Sequence, residues 1–375
     1  MLSSGTDNII AALEQRNRVS KVCLINLASW QLENVLTTMQ VPFLELEYLH
    51  LSSADETPPV IPDSFLGGSA PHLQFFFLSG ISFPGLPKLL LTASRLVSLS
   101  LSNIPHSGYI SPEAIVALFS LLSSLDELSL KFQSPRSHPG GRLRSSQPPK
   151  RTILPSLRRF EFKGVTEYLE ELVIRIGTPQ LDKMNITFFN QIDFNTPRLA
   201  QFINCTPTLR AFEEAHVYVA VPDIVCIVFR YRASQHLSIN ISCRDADWQF
   251  SSIEQICNYL HPLSLSTVED LYIENRPGYP LPVLKDGAIE NTLWLQLLLP
   301  FTAVKNLYLS VDFAPGIVAT LQELVTNRVT EILPSLKNIF VEGLRTSGPL
   351  RENIEQFVAA RQLNNPIVIS NWNKL

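Results

Sequence analysis

Short segments with apolar residues at alternate positions recur along the chain. Three of them follow one pattern, L-x-x-L-x-L-x, with little change: LEYLHLS at 46–52, LQFFFLS at 73–79 and LVSLSLSN at 96–103. Because alternate side chains of an extended strand point to opposite faces, the apolar residues of each copy share one face. Each copy therefore predicts a short strand with one buried face.

Weaker copies of this strand pattern continue to the end of the chain. They begin at Val19, Leu125, Leu157, Leu181, Leu209, Ser234, Val268, Val304 and Leu336, and the copies at Leu209 and Ser234 are the least regular. Apolar residues at helical spacing predict helices between strands at 29–39, 112–123, 164–176, 253–260, 291–299, 315–327 and 349–363. A strand and a return segment that recur in this way are the signature of a leucine-rich repeat.

The repeats predict an α/β fold in the form of an irregular leucine-rich-repeat solenoid, or horseshoe. Its strands would form a concave parallel β-sheet, and its helices would cover the convex side. Neither half of a coil can bury its apolar face alone, so each coil depends on its neighbours. Because such a core lengthens coil by coil, we expect a single leucine-rich-repeat domain over residues 1–375.

The segment 134–151, SPRSHPGGRLRSSQPPKR, interrupts the repeats. It contains five Lys or Arg residues, four prolines and no acidic residue. Since it has no apolar face to bury, it predicts a basic, Pro- and Gly-rich mobile loop inserted in the domain. Two interpretations stay open: a solvated insertion at a turn, or a patch for nuclear import or an anionic partner.

Side chains between the ladder leucines point away from the helices and form the predicted concave surface. The candidate protein-binding residues there are Tyr48, His50, Phe75, Phe77, Glu127, Lys131, Arg159, Glu161, Lys163, Tyr272, Glu274 and Tyr308. Exposed aromatic residues beside charges are typical of protein-binding surfaces. For Phe75 and Phe77, partner contact and internal cover are both open. For the charged residues from Glu127 to Lys163, ion pairing across strands is the alternative to partner contact.

Composition narrows the class of protein further. With 45% hydrophobic residues, 17% charged residues and a net charge of −4, the chain is a packed protein with no basic surplus for nucleic acid. Its five cysteines show no C-x-x-C spacing, which indicates free thiols in a reducing compartment. The N-terminal residues lack a secretory pattern, and the longest apolar runs are too short to span a bilayer. We therefore expect a monomer located in the cytoplasm or nucleus, with no membrane partner.

No stretch carries a recognised catalytic or nucleotide-binding motif. The chain lacks G-x-G-x-x-G, the P-loop pattern, G-x-S-x-G and H-E-x-x-H, and its seven histidines lie far apart. We expect neither an enzyme nor a cofactor or metal site.

Several longer stretches resemble a known family. They are FLGGSAPHLQ (65–74), FPGLPKLLLTAS (83–94), IPHSGYISPEAIV (104–116), GVTEYLEELVIRI (164–176), ITFFNQIDFNTPRLAQFI (186–203), LPFTAVKNLYLSVDFAP (299–315) and FVAARQL (357–363). They are similar to the leucine-rich-repeat region of F-box proteins of mushroom-forming fungi, here without the F-box. The resemblance implies a non-catalytic substrate-recognition module of an SCF-type ubiquitin ligase. Binding to Skp1 and cullin is expected only if an upstream F-box exists. The alternative is a free-standing repeat scaffold or decoy.

Overall fold

The computed structural model describes most of the chain in two compact units, Met1–Leu181 and Asp182–Leu375. The described residues are 4–55, 57–84, 86–135, 151–191, 194–220, 224–231, 235–242, 246–260, 265–275, 291–323, 332–361 and 366–372. The predicted basic loop at 134–151 lies outside them except for its ends. The expectation of a single domain over 1–375 stays a prediction.

The first unit alternates strands with helical return segments. Its strands are β1 (Lys21–Leu27), β2 (Tyr48–Ser53), β3 (Phe75–Ser79), β4 (Ser98–Ile104), β5 (Glu127–Phe132), β6 (Thr152–Ile153), β7 (Arg159–Gly164) and β8 (Ile176–Gly177). Its helices are α1 (Ser4–Leu13), α2 (Ser29–Thr38), α3 (Leu86–Leu90), α4 (Pro112–Phe119) and α5 (Thr166–Val173). Strands β1 to β5 and β7 form one parallel sheet in chain order, while β6 pairs with β8.

The predicted leucine ladder forms the core of this unit. The first residue of each regular copy, at Leu46, Leu73 and Leu96, is fully buried. Two further buried columns run across the strands, because the strands pair in register from β2 to β7. Their members are Leu49, Phe76, Leu99, Leu128 and Phe160 in one column, and Leu51, Leu78, Leu101, Leu130 and Phe162 in the other. Alternation along each strand thus separates a buried face from a more accessible one.

Return segments cover the buried face. In α5, Tyr168 is fully buried, and its ring centroid lies 4.7 Å from that of Phe132 and 5.9 Å from that of Phe162. Its hydroxyl donates a hydrogen bond to the carbonyl oxygen of Ile110, at 2.9 Å. Helix α4 begins at Pro112, and the Ser111 hydroxyl accepts a capping hydrogen bond from the backbone N–H of the third helical residue.

The second unit repeats this arrangement with one change of strand order. Its strands are β9 (Lys183–Phe189), β10 (Glu214–Ala220), β11 (Ile224–Tyr231), β12 (Gln235–Ser242), β13 (Asp270–Asn275), β14 (Asn306–Leu309), β15 (Asn338–Glu342) and β16 (Val368–Trp372). Its helices are α6 (Pro197–Cys205), α7 (Ala246–Leu260), α8 (Asn291–Leu298), α9 (Ala314–Glu323) and α10 (Pro349–Arg361). The strands lie in the order β9, β12, β11, β10, β13, β14, β15, β16.

Strand β11 is an exception to the predicted parallel sheet. It lies between β12 and β10 and runs antiparallel to both, whereas β12 is parallel to β9 and β10 is parallel to β13. Only three residues separate β10 from β11, and three separate β11 from β12. A parallel crossover needs about a dozen residues or more, so these connections allow only antiparallel neighbours. The two irregular copies at Leu209 and Ser234 fall on either side of this strand.

With that exception, the predicted leucine-rich-repeat architecture of strands and return helices is confirmed in both units. Among the described residues, no helix combines the length and apolar character needed to cross a membrane.

Candidate protein-binding surface

The face of each sheet that carries the residues between the buried ladder positions is called here the open face. In β2 and β5 the side chains alternate strictly between buried and partly exposed. The twelve candidate residues all occupy open-face positions, as the alternation predicts. Eleven of them fall into three sets, two in the first unit and one in the second, and Glu274 lies beside the third.

The first set, the aromatic patch, consists of Tyr48, His50, Phe75 and Phe77. Register places Tyr48 opposite Phe75 and His50 opposite Phe77. The Tyr48 ring centroid lies 6.0 Å from that of Phe75 and 5.6 Å from that of Phe77, and the His50 and Phe77 centroids are 5.5 Å apart. The ammonium group of Lys21 lies 4.5 Å from the Tyr48 ring centroid, within range of a cation–π interaction.

Neighbouring rings cover the aromatic patch only from the side. Phe75 keeps 37% of its surface exposed, and Tyr48, His50 and Phe77 are half-buried. Partial burial also lowers the pKa of His50. Of the two interpretations of Phe75 and Phe77, lateral cover by neighbouring strands accounts for part of their surface, and the rest stays accessible to a partner.

The second set, the charged strip, consists of Glu127, Lys131, Arg159, Glu161 and Lys163. Lys131 forms an ion pair with Glu161 at 2.5 Å, and Arg159 forms one with Glu127. Lys163 lies opposite Lys131 in register. These contacts support the interpretation of ion pairing across strands. The paired side chains remain between 37% and 53% exposed, so each pair contributes at most about 1 kcal/mol and can be rearranged by a partner.

The third set, the ring ladder, crosses four strands of the second unit. It consists of His216, Tyr272, Tyr308 and Phe340, which occupy one register column. Successive ring centroids are 4.2, 4.2 and 4.6 Å apart, and the ring planes differ by 3°, 8° and 9°. The reason is geometric, since in-register strands lie about 4.8 Å apart and bring like positions into stacking distance.

Trp372, in β16, lies against this ladder. Its ring centroid is 5.5 Å from that of Tyr308 and 5.9 Å from that of Tyr272, with ring planes at 65° and 57°. Burial raises the pKa of both tyrosines, and for each of them the nearby carboxylate of Asp270 is a further cause. The ladder is therefore a stack of rings with the carboxylate of Asp270 nearby.

Glu274 differs from the other predicted surface residues because it is buried, with 4% exposure. One of its carboxylate oxygens lies 3.1 Å from Nδ1 of His216, and a carboxylate oxygen of Glu214 lies 3.3 Å from Nε2. Glu274 thus fixes the orientation of His216 and is not available for direct contact with a large partner.

His216, Phe340 and Trp372 belong to the ring ladder and its surroundings but were not among the twelve candidate residues. His216 lies in an irregular copy, yet the alternation of EAHVYVA at 214–220 places Glu214, His216 and Tyr218 on one face. That alternation was a usable signal. No sequence pattern pointed to Trp372, because its contact with Tyr272 depends on the register of β16.

Within the part of the chain that the structure describes, no group of three or more His, Cys, Asp or Glu side chains could hold a metal ion. The arrangement of the open face supports contacts through rings and charges, and the prediction that the chain is not an enzyme stays a prediction.

No protein-family model and no curated protein matches the chain. Among solved structures, it is similar to the leucine-rich repeat-containing protein LegL7 from Legionella pneumophila, with 12% sequence identity and a TM-score of 0.35. That likeness covers 92% of this chain and 98% of the other.

Proposed function

We propose that the chain is a non-catalytic protein-binding module whose open face receives a protein partner. The observation that carries the proposal is the aromatic patch of the first unit, in which Phe75 remains 37% exposed on a sheet face. Aromatic residues near the centre of an interface contribute most of its binding energy.

The surroundings of the aromatic patch fit this role. The charged strip lies on the same sheet, three strands from Tyr48, and its ion pairs are solvent-accessible. Charges at the margin of an apolar patch raise association rates and suppress wrong partners. We therefore expect charge reversal at Arg159 and Lys163 to weaken partner binding mainly through slower association.

We further propose that the module is of the F-box type and presents substrates to an SCF-type ubiquitin ligase. The support is the resemblance of the stretches between 65 and 363 to the repeat region of fungal F-box proteins. In this proposal the repeats hold the substrate, and an F-box outside the present sequence binds Skp1. The free-standing scaffold or decoy remains the alternative.

Affinity capture tests the binding role. The purified chain is immobilised, incubated with an extract of a mushroom-forming fungus, and the retained proteins are quantified by mass spectrometry. The double variant Phe75→Ala/Phe77→Ala should lose the retained partner. The matched control is Leu91→Ala/Leu121→Ala, which removes two exposed side chains from return segments. Equal retention by wild type and the Phe75→Ala/Phe77→Ala variant would contradict the proposal, provided that the variant remains folded by circular dichroism.

The ligase link needs a separate test. The in-frame sequence upstream of Met1 is joined to the chain, and the longer protein is mixed with purified Skp1. Stable co-elution on size-exclusion chromatography would support the F-box type of module. A partner retained by the open face without any Skp1 binding would support the free-standing scaffold.

A further inference from the structure

We propose that the aromatic patch holds an uncharged, apolar segment of the partner, and that protonation of His50 releases this segment when the pH falls. The inference rests on the proposed function, because the segment belongs to the protein that the open face receives. It adds the chemistry of that segment and a means of regulating its binding.

His50 lies in the middle strand of the surface that carries the patch. Its register partners are Phe77 in β3 and the exposed Cys23 in β1. The ring centroid of Phe77 is 5.5 Å from that of His50 and 5.6 Å from that of Tyr48. A segment seated on Phe75 and Phe77 therefore also covers the imidazole of His50.

The surface around the patch carries little charge. In the fully described strands β1 to β4, Lys21 is the only Lys, Arg, Asp or Glu residue, and its ammonium group already rests against the Tyr48 ring. The residues directly before these strands are Ser20, Glu47, Gln74 and Val97. Only one of the four is charged, and its sign is opposite to that of Lys21. A surface with balanced, sparse charge complements an uncharged, apolar segment.

Protonation of His50 would add a second cation to this surface. The titratable groups on the same face are Tyr48 on its own strand and Lys21 and Cys23 on β1, while β3 contributes none. No carboxylate faces the imidazole from these three strands. Asp55, beyond the end of β2, already accepts a hydrogen bond from a backbone N–H at the start of α2.

An imidazolium at this position is therefore disfavoured as soon as water is removed. Partial burial already lowers the pKa of His50 in the free chain, and an apolar segment lying over the ring adds to that burial. The bound state then holds fewer protons than the free state, so acidification favours the free state and release of the segment.

A cation–π contact is the competing explanation, because a protonated imidazole is attracted by the face of a neighbouring ring. If that attraction with Phe77 dominated, acidification would leave apolar binding unchanged or strengthen it. The two explanations thus predict different responses to pH.

Fluorescence titration with the uncharged, apolar dye Nile red separates them. A fixed concentration of dye is titrated with the full chain at pH 7.5 and at pH 5.0. We expect binding to be at least threefold weaker at pH 5.0. An imidazole pKa of 6.5 would set a limit of about thirtyfold, and the lowered pKa of His50 keeps the effect below that limit.

Three variants assign the pH response to one side chain. His50→Asn carries a neutral amide and should bind Nile red with the same affinity at both pH values. His50→Lys carries a cation throughout and should bind weakly at both. The matched control is His106→Asn, at an exposed position in the segment between β4 and α4, which should keep the pH response of wild type.

Equal binding by wild type at the two pH values would overturn the inference, as would a wild-type pH response in His50→Asn. Nile red binding that is unchanged in Phe75→Ala/Phe77→Ala would overturn it too. Far-UV circular dichroism at both pH values checks folding, and His50→Gln replaces His50→Asn if the latter does not fold. The proposed function fails by a different result, equal partner retention by wild type and Phe75→Ala/Phe77→Ala at pH 7.5, so the two failures are distinguishable.

Discussion

The three consecutive phenylalanines of β3 provide a direct test of the two sheet faces. Phe76 is fully buried and lies with Phe65 and Phe83 around the same interior space, whereas Phe75 is 37% exposed. Phe76→Ala should therefore destabilise the protein by about 3–5 kcal/mol, the usual cost of truncating a buried Phe. Phe75→Ala loses partial burial and one ring contact with Tyr48, which together are worth about 1 kcal/mol.

Urea denaturation followed by far-UV circular dichroism measures this difference of about 2–4 kcal/mol. Phe76→Leu serves as the control for volume, and it should recover most of the stability because it refills most of the space. The ordering of the two alanine variants is the decisive result. A slip of one residue in strand register would reverse it, since every side chain would change face. Equal costs for Phe75→Ala and Phe76→Ala would refute the assignment of the open face.

Three further predictions test individual contacts. Gly80 has φ +67°, and an added Cβ would lie 2.6 Å from a backbone carbonyl oxygen, whereas Gly343 has φ +61° and open space around it. Gly343→Ala should therefore cost about 1–2 kcal/mol, and Gly80→Ala should cost more; equal costs in urea denaturation would contradict this. Burial raises the pKa of Tyr168 well above 10.0, so its phenol ionises more readily in the unfolded state, and stability should fall as the pH rises above 10.0. Tyr168→Phe should lower the free energy of unfolding by about 1–2 kcal/mol at neutral pH. It should also reduce the loss of stability that wild type shows above pH 10.0, and an unchanged loss there would count against this. Lys131→Met should change stability by less than about 1 kcal/mol, because the ion pair with Glu161 is well exposed, and a larger loss would show that the pair is not a surface contact.

The regular half of the fold could be predicted from periodicity alone. Leu46, Leu73 and Leu96 are fully buried because each is the first ladder residue of a clear copy, and the strands follow one another in parallel. The same alternation distinguishes Phe76 from Phe75. This part of the fold was predictable because each strand pairs with the next one in sequence. The order of the strands along the chain is therefore also their order in the sheet.

The second unit was harder to predict because its strand order departs from the chain order. Strand β12 lies beside β9, and β10 lies beside β13, with β11 antiparallel between them. The choice between hairpin and crossover depended on two three-residue connections that did not stand out as turns. As a result, the weak copies at Leu209 and Ser234 were read as ordinary coils.

The candidate surface was predictable in position but not in chemistry. Tyr272 and Tyr308 were placed on the open face by alternation, yet their stacking with His216 requires knowing that β10 neighbours β13. The burial of Glu274 likewise depends on His216, which is 58 residues away in the chain. Contacts between distant strands are set by register, and one sequence contains no direct record of register.

Site-specific photo-crosslinking tests the central claim, that the open face is the partner-binding surface. The photoreactive residue benzoylphenylalanine replaces either Phe75 on the open face or Leu121 on a return segment, two positions with similar exposure of 37% and 43%. Both variants are irradiated in the presence of the partner retained in the affinity capture. A crosslinked partner is expected from position 75 and none from position 121. A crosslink from position 121 alone would contradict it.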